Sequence, residues 1–134
     1  SEAAASENYN VIITTGTATD YSGAKQLVED HKVDGMILMR SYDEDLTLEY
    51  LTKQGIPVGL TGSCADENVI QVDSDNNEAA HRMTSMLIDC GYKKFALILG
   101  ESTYRVNHER IDGFYQAIDR YGLAREQQLC IRNF

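Results

Sequence analysis

Asp73 and Asp75, in the stretch VDSDN, are two carboxylates close enough in sequence to act as a general acid and a general base. The next residues of the chain weaken that chemistry. Asp75 stands three residues before Glu78 at the head of an apolar-periodic segment, the spacing of a helix N-cap and its N3 partner. A capping carboxylate is committed to backbone amides, which leaves Asp73 as the free one. Ser63 precedes Cys64 with no paired base and no GxSxG elbow. His31, His81 and His108 are scattered, with no HExxH and no Cys/His cluster, so no metal site is expected. TTGTATDYSGAK fits neither the dinucleotide fingerprint nor a P-loop. The residues therefore point to no enzyme and no cofactor.

Arg110 is a different kind of candidate. In NHERIDGFYQAI, Ile111, Phe114, Tyr115 and Ile118 recur at helical spacing, and at about 100° per residue Arg110 lies nearly a quarter turn from the centre of that face. The pattern places it in the first turn of a helix, where the dipole disfavours a cation. Two readings stay open. Arg110 could form a surface ion pair with Glu109, or it could present a planar fork to a ligand's hydroxyls or carboxylates.

Periodicity indicates the elements that must hold these residues. Strands are expected at residues 10–15, 35–39, 56–61, 68–73, 94–100 and 129–134, short and rich in Ile, Leu and Val, as strands covered on both faces are. Helices are expected between most of them. One places Ala24, Leu27, Val28 and His31 on one face. A second gathers Leu46, Tyr50 and Leu51, with Ser41 and Glu44 as a capping box. A third buries Ala79, Met83, Met86, Leu87 and Cys90, and the fourth contains Arg110. Gly55, Gly91 and Gly122 read as helix stops. The alternation predicts an α/β fold, a parallel sheet with helices on both sides in three layers. Ligands of such sheets bind beyond the C-terminal strand ends. That rule selects residues 16–20, 40–43, 62–68, 73–76 and 101–107, with Tyr21, Tyr42 and Tyr104 in or beside them. Carboxylates, hydroxyls and aromatic faces there suit a small polar ligand such as a sugar or a base.

Composition narrows the partners. The 134 residues carry a net charge of −9, which argues against this stretch gripping a nucleic-acid backbone. Its apolar runs are too short to span a bilayer, and no signal peptide is visible at its start, so no membrane partner is expected. Three widely spaced cysteines fit a reducing cytoplasm better than a disulfide framework.

VDGMIL, LTKQGIPVGLTG, VIQVDSDNNEAA, LIDCGYKKFALILG and ERIDGFYQAI, in this order and spacing, resemble the effector-binding domain of LacI/GalR-type bacterial repressors. The resemblance runs from about Tyr9 to Gly122. It implies a periplasmic-binding-protein-like fold of type I, in which two lobes close on a small effector, usually in a homodimer, and a hinge transmits closure to a DNA-binding helix-turn-helix. On that footing residues 1–124 would be an incomplete N-terminal lobe lacking its first strand, with unpaired edges and an exposed core. Residues 125–134 would be the crossover and first strand of the second lobe. The helix-turn-helix that reads operator DNA would lie outside this sequence. The resemblance also carries over site residues. Arg110 matches an effector-binding arginine, Val106 a pocket-lining position one turn earlier, and Asp73 the cleft floor. Met39 and Arg40 lie at a strand end that meets ligand. Gly113 matches a packing glycine. Gly62 stands where some sugar-binding members carry Asp, which leaves Ser63 as the nearest contact. The implied function is sensing of a small effector, a sugar for preference, with allosteric control of DNA binding. A periplasmic-type sugar-binding protein for transport is the alternative.

Overall fold

The computed structural model describes residues 2–132, so Asn133 and Phe134, the end of the strand expected at 129–134, lie outside the described residues, as does Ser1. The order of elements is α1 (Glu2–Ser6), α2 (Ser22–Glu29), β1 (Met36–Leu38), α3 (Leu46–Lys53), β2 (Val58–Thr61), β3 (Ile70–Val72), α4 (Asn76–Asp89), β4 (Ala96–Ile98), α5 (Arg105–Arg120) and β5 (Leu129–Ile131), with a short 3-10 turn before β5. All pairings between these strands are parallel, as the alternating pattern predicts.

The strands do not form one sheet. β1, β2 and β3 pair in that order, and β4 pairs separately with β5. The division falls between Val72 and Ala96, so the chain passes from one sheet to the other through residues 73–75 and α4. Leu51, Val58, Leu60 and Val69 form the core of the first half, with Met36, Leu38 and Leu48 packed around them. The second half is built on α4 against α5, with Phe114, Ala117 and Ile118 buried. Phe95 meets Phe114 edge to face with ring centroids 6.5 Å apart.

Three local expectations need correction. No strand forms at residues 10–15, where Ile13 is 88% exposed. An apolar β-type run becomes a strand only by pairing, and among the described residues no strand pairs with it. Nor are the strands covered on both faces. Ile37, Ile70 and Val72 are exposed. The capping box is not Ser41 with Glu44. Asp45 caps α3, its Oδ1 accepting from the amides of Thr47 and Leu48 at 2.9 and 3.0 Å. Asp45→Ala is therefore expected to cost about 1 kcal/mol of stability, whereas Glu44→Ala should cost almost nothing. Thermal denaturation of the two variants separates the cases.

The α4 cap is as the sequence predicts, with Asp75 Oδ1 accepting from the Glu78 amide at 2.8 Å. The buried face of α4 is not. Met83 and Met86 are more than half exposed, and the residues turned inward are Asn76 and Thr84. The cause is Gly113. A Cβ on Gly113 would lie 2.0 Å from the Asn77 carbonyl oxygen, so α4 and α5 cross almost backbone to backbone. Such a crossing leaves room only for small or short polar side chains between the helices. On α5 the predicted face is correct: Phe114 and Ile118 are buried, Ile111 and Tyr115 partly so.

Candidate functional site

The loops after β1, β2, β3 and β4 converge where the two halves of the chain meet. Tyr42 and Tyr104 form an antiparallel bridge across the seam. The Asp43 amide donates to the Thr103 carbonyl at 3.2 Å, and the Arg105 amide donates to the Ser41 carbonyl at 3.3 Å. His108 Nε2 lies 2.9 Å from Asp43 Oδ2. Candidate segments 40–43, 62–68 and 101–107 thus meet through direct contacts.

Arg40 and Tyr104 are brought together. Arg40 Nη1 donates to Tyr104 Oη at 2.7 Å, and its guanidinium lies 5.6 Å from the centre of the Tyr104 ring. The Tyr42 and Tyr104 rings are 5.1 Å apart and tilted by 39°. The Tyr42 side chain, followed by desolvation, holds the Tyr104 hydroxyl above its ordinary value of 10.0, against the opposing pull of Arg40. Tyr104 is therefore a neutral phenol at pH 7. Its oxygen accepts from Arg40.

Arg110 and Asp73 are joined through Asn76. Arg110 Nε donates to Asn76 Oδ1 at 3.2 Å, and Asn76 Nδ2 donates to Asp73 Oδ1 at 3.2 Å and to the Ser74 carbonyl at 3.0 Å. Asp73 Oδ1 also accepts from the Ser74 amide at 2.8 Å. Arg110 is not in the first turn of its helix. α5 starts at Arg105, which puts Arg110 more than a turn inside it and away from the strongest part of the dipole. The ion pair with Glu109 is not formed either. Glu109 Oε1 accepts from Ser63 Oγ at 3.0 Å and lies 3.9 Å from Arg105 Nε.

Ser63 is half-buried and occupied by Glu109, and its carbonyl accepts from Ser41 Oγ. Gly62 has φ +127°, and a Cβ there would lie 2.6 Å from Ser41 Cβ. No side chain fits at that position, which accounts for the absence of an aspartate. Val106 is half-buried in the first turn of α5. Met39, 81% exposed, takes no part in either cluster. A cavity of about 230 Å³ opens beside the seam on the α3 side, lined by Tyr42, Asp43, Leu48, Cys64, Arg105 and their neighbours. Arg110 and Asp73 do not line it.

Sequence reasoning missed Asn76, Glu109 and His108 as members of these clusters. Asn76 carried a signal, since it lies in the strand-end segment 73–76 beside a helix cap. Glu109 and His108 carried none, because their partners Ser63 and Asp43 lie far away in the chain. Among the described residues no group of His, Cys, Asp and Glu is arranged to hold a metal ion, and no helix is long and apolar enough to cross a membrane.

Residues 1–132 match the family described as periplasmic binding proteins and sugar binding domain of LacI family. The transcriptional regulator MalR of Staphylococcus xylosus is 31% identical over 97 residues, which are 72% of this chain and 29% of that protein. MalR of Streptococcus pneumoniae is 28% identical over 126 residues, covering 92% of this chain and 38% of that protein. A transcription-regulator-like protein from Staphylococcus haemolyticus has a solved structure that superimposes with a TM-score of 0.86 at 28% identity, over 98% of this chain and 49% of that one. The chain thus spans roughly a third of the length of these curated relatives and about half of that solved structure. These relatives are named as regulators, not as enzymes.

Proposed function

Because the chain belongs to the family of periplasmic binding proteins and LacI-type sugar-binding domains, we propose that it is part of the effector-sensing domain of a cytoplasmic transcription regulator. Its ligand is a small polyhydroxylated molecule, a sugar or sugar derivative, held where the two halves of the chain meet. The observation that carries this reading is Arg110. Its Nε is tied to Asn76 beside the crossing between the sheets, and among the described residues no hydrogen bond engages its Nη groups. A guanidinium held by one edge offers two parallel donors to a pair of ligand oxygens. Asp73, joined to the same amide, supplies a neighbouring acceptor.

The division of the sheets supports placing the lobe boundary at residues 73–75, ahead of residue 125. Arg110, Asn76 and α5 then belong to one lobe, and Arg40, Tyr42 and Ser63 to the other. Ligand bridging the two would favour one lobe arrangement over another, and that differential affinity is what shifts a two-state equilibrium. Operator DNA would be read by a domain outside this stretch, in a homodimer. The family also contains periplasmic binding proteins, but the relatives named as transcriptional regulators favour sensing over transport.

A thermal-shift screen of the full-length protein against pentoses, hexoses, disaccharides and sugar phosphates tests the reading. A ligand at one hundred times its Kd contributes about 2.7 kcal/mol to the native state, which raises the melting temperature by several degrees. If no sugar or sugar phosphate raises it, the carbohydrate assignment fails.

A further inference from the structure

Asn76 is one of three buried polar or charged residues among the described residues, 8% exposed at the first position of α4. A buried amide must satisfy its donors and its acceptor. Here Nδ2 donates twice, to Asp73 Oδ1 and to the Ser74 carbonyl, so Oδ1 has to face Arg110. The opposite orientation would set an NH₂ group against a guanidinium, two donors with no acceptor between them. The residue therefore has one workable orientation, and that orientation accepts from Arg110 Nε.

We infer that Asn76 is the positioning residue for Arg110, holding the guanidinium by Nε so that both Nη groups face the ligand. The inference rests on the effector-site reading and adds to it how the site discriminates. A neutral amide anchors the arginine without cancelling its charge, as a carboxylate in the same place would. The free edge keeps a full positive charge and a two-pronged geometry, which matches a pair of adjacent oxygens: a vicinal diol, a carboxylate or a phosphate. Gly113 is part of the same device. It lies one turn beyond Arg110 on α5 and touches Asn77, the residue after Asn76, so the close helix crossing brings the amide within reach of Nε.

The test uses the full-length protein, Asn76→Leu, Arg110→Ala and the double variant, with calorimetric titration of maltose, ribose and glucose 6-phosphate. For any of these that binds the wild type, Asn76→Leu weakens binding about tenfold and has no further effect once Arg110 is alanine. Additive losses, or no loss in Asn76→Leu, overturn the inference. A second readout needs no ligand. The Arg110 Nε–H resonance, identified by its loss in Arg110→Ala, has an order parameter near about 0.8 in the wild type and below about 0.6 in Asn76→Leu. Asn76→Ala, which removes the acceptor without adding bulk, gives the same mobile signal and serves if the leucine variant does not fold. Equal mobility of Nε–H with and without an acceptor at position 76 overturns the inference whether or not any sugar binds. If none of the three probes binds while the resonance behaves as stated, the positioning role stands, and the carbohydrate reading is what these probes fail to support.

Discussion

Gly113→Ala is expected to destabilise the protein by about 3 kcal/mol or more, at or above the upper end of typical overpacking costs. The added Cβ would lie 2.0 Å from the Asn77 carbonyl oxygen, 2.9 Å from its carbon and 3.1 Å from its Cα. An ordinary carbon–oxygen contact is about 3.3 Å or longer, so the helices must part by roughly an ångström. The obstructing atoms are backbone in the first turn of α4, pinned by the Asp75 cap, and no rotamer change relieves them. α4 against α5 is also the most extensive helix packing in the chain. A separation there loosens the whole second half. Gly55→Ala is the control. Gly55 has φ +69° with no other heavy atom within 4 Å of the added Cβ, so it should cost only about 1 kcal/mol, the penalty of a left-handed backbone. Urea midpoints at unchanged m-value measure both. Equal losses at the two glycines would mean that the helix crossing is looser than the approach of Gly113 to Asn77 requires.

Arg110→Ala is expected to weaken effector binding by about 1.5–3 kcal/mol, roughly ten- to a hundredfold, the worth of a hydrogen bond from a charged donor. Folding should change little. Arg110 is largely exposed, and its loss leaves Asn76 Oδ1 beside a gap that water can enter. Arg110→Lys should recover only part of the affinity, because an ammonium cannot present two parallel donors while a third is tethered. Isothermal calorimetry with the sugar identified by thermal shift reads the affinities, and the melting temperature without ligand reads folding. Unchanged affinity in Arg110→Ala would remove Arg110 from the site.

Local signals in this sequence were legible and tertiary ones were not. The Asp75 cap and the apolar face of Ile111, Phe114, Tyr115 and Ile118 are decided within one turn or a few, so periodicity finds them. The parallel β-strand and helix alternation is likewise a property of neighbouring segments. The run at residues 10–15 misled because its apolar content says that it can be a strand, while pairing depends on a partner elsewhere. α4 misled in the opposite sense. Its methionines mark the more hydrophobic face, but Gly113 brings a second helix against the side bearing Asn76 and Thr84, and hydropathy does not register so close a crossing.

The proposed site divides along the same line. Arg110 was legible as a charge beside an apolar helix face, and Asp73 as the carboxylate not used in capping. The amide that joins them was not, because Asn76 and Arg110 are 34 residues apart and meet only through the packing of α4 on α5. Arg110 also sits deeper in its helix than the sequence suggested, since the polar first turn of α5, with Arg105 and Asn107, contributes nothing to the apolar period. Ser63 is a candidate contact by its position after β2. The structure gives its hydroxyl to Glu109, which makes it a tie across the seam.

On the proposed reading the ligand lies at the Arg110–Asn76–Asp73 network, between the two halves of the chain. The most direct measurement is a crystal structure of the full-length protein with a sugar that raises its melting temperature. Two ligand oxygens are expected within hydrogen-bond distance of the Arg110 Nη atoms, with Nε still on Asn76 Oδ1. A ligand seated instead in the cavity lined by Tyr42, Leu48 and Cys64, with Arg110 turned to solvent, would contradict that placement.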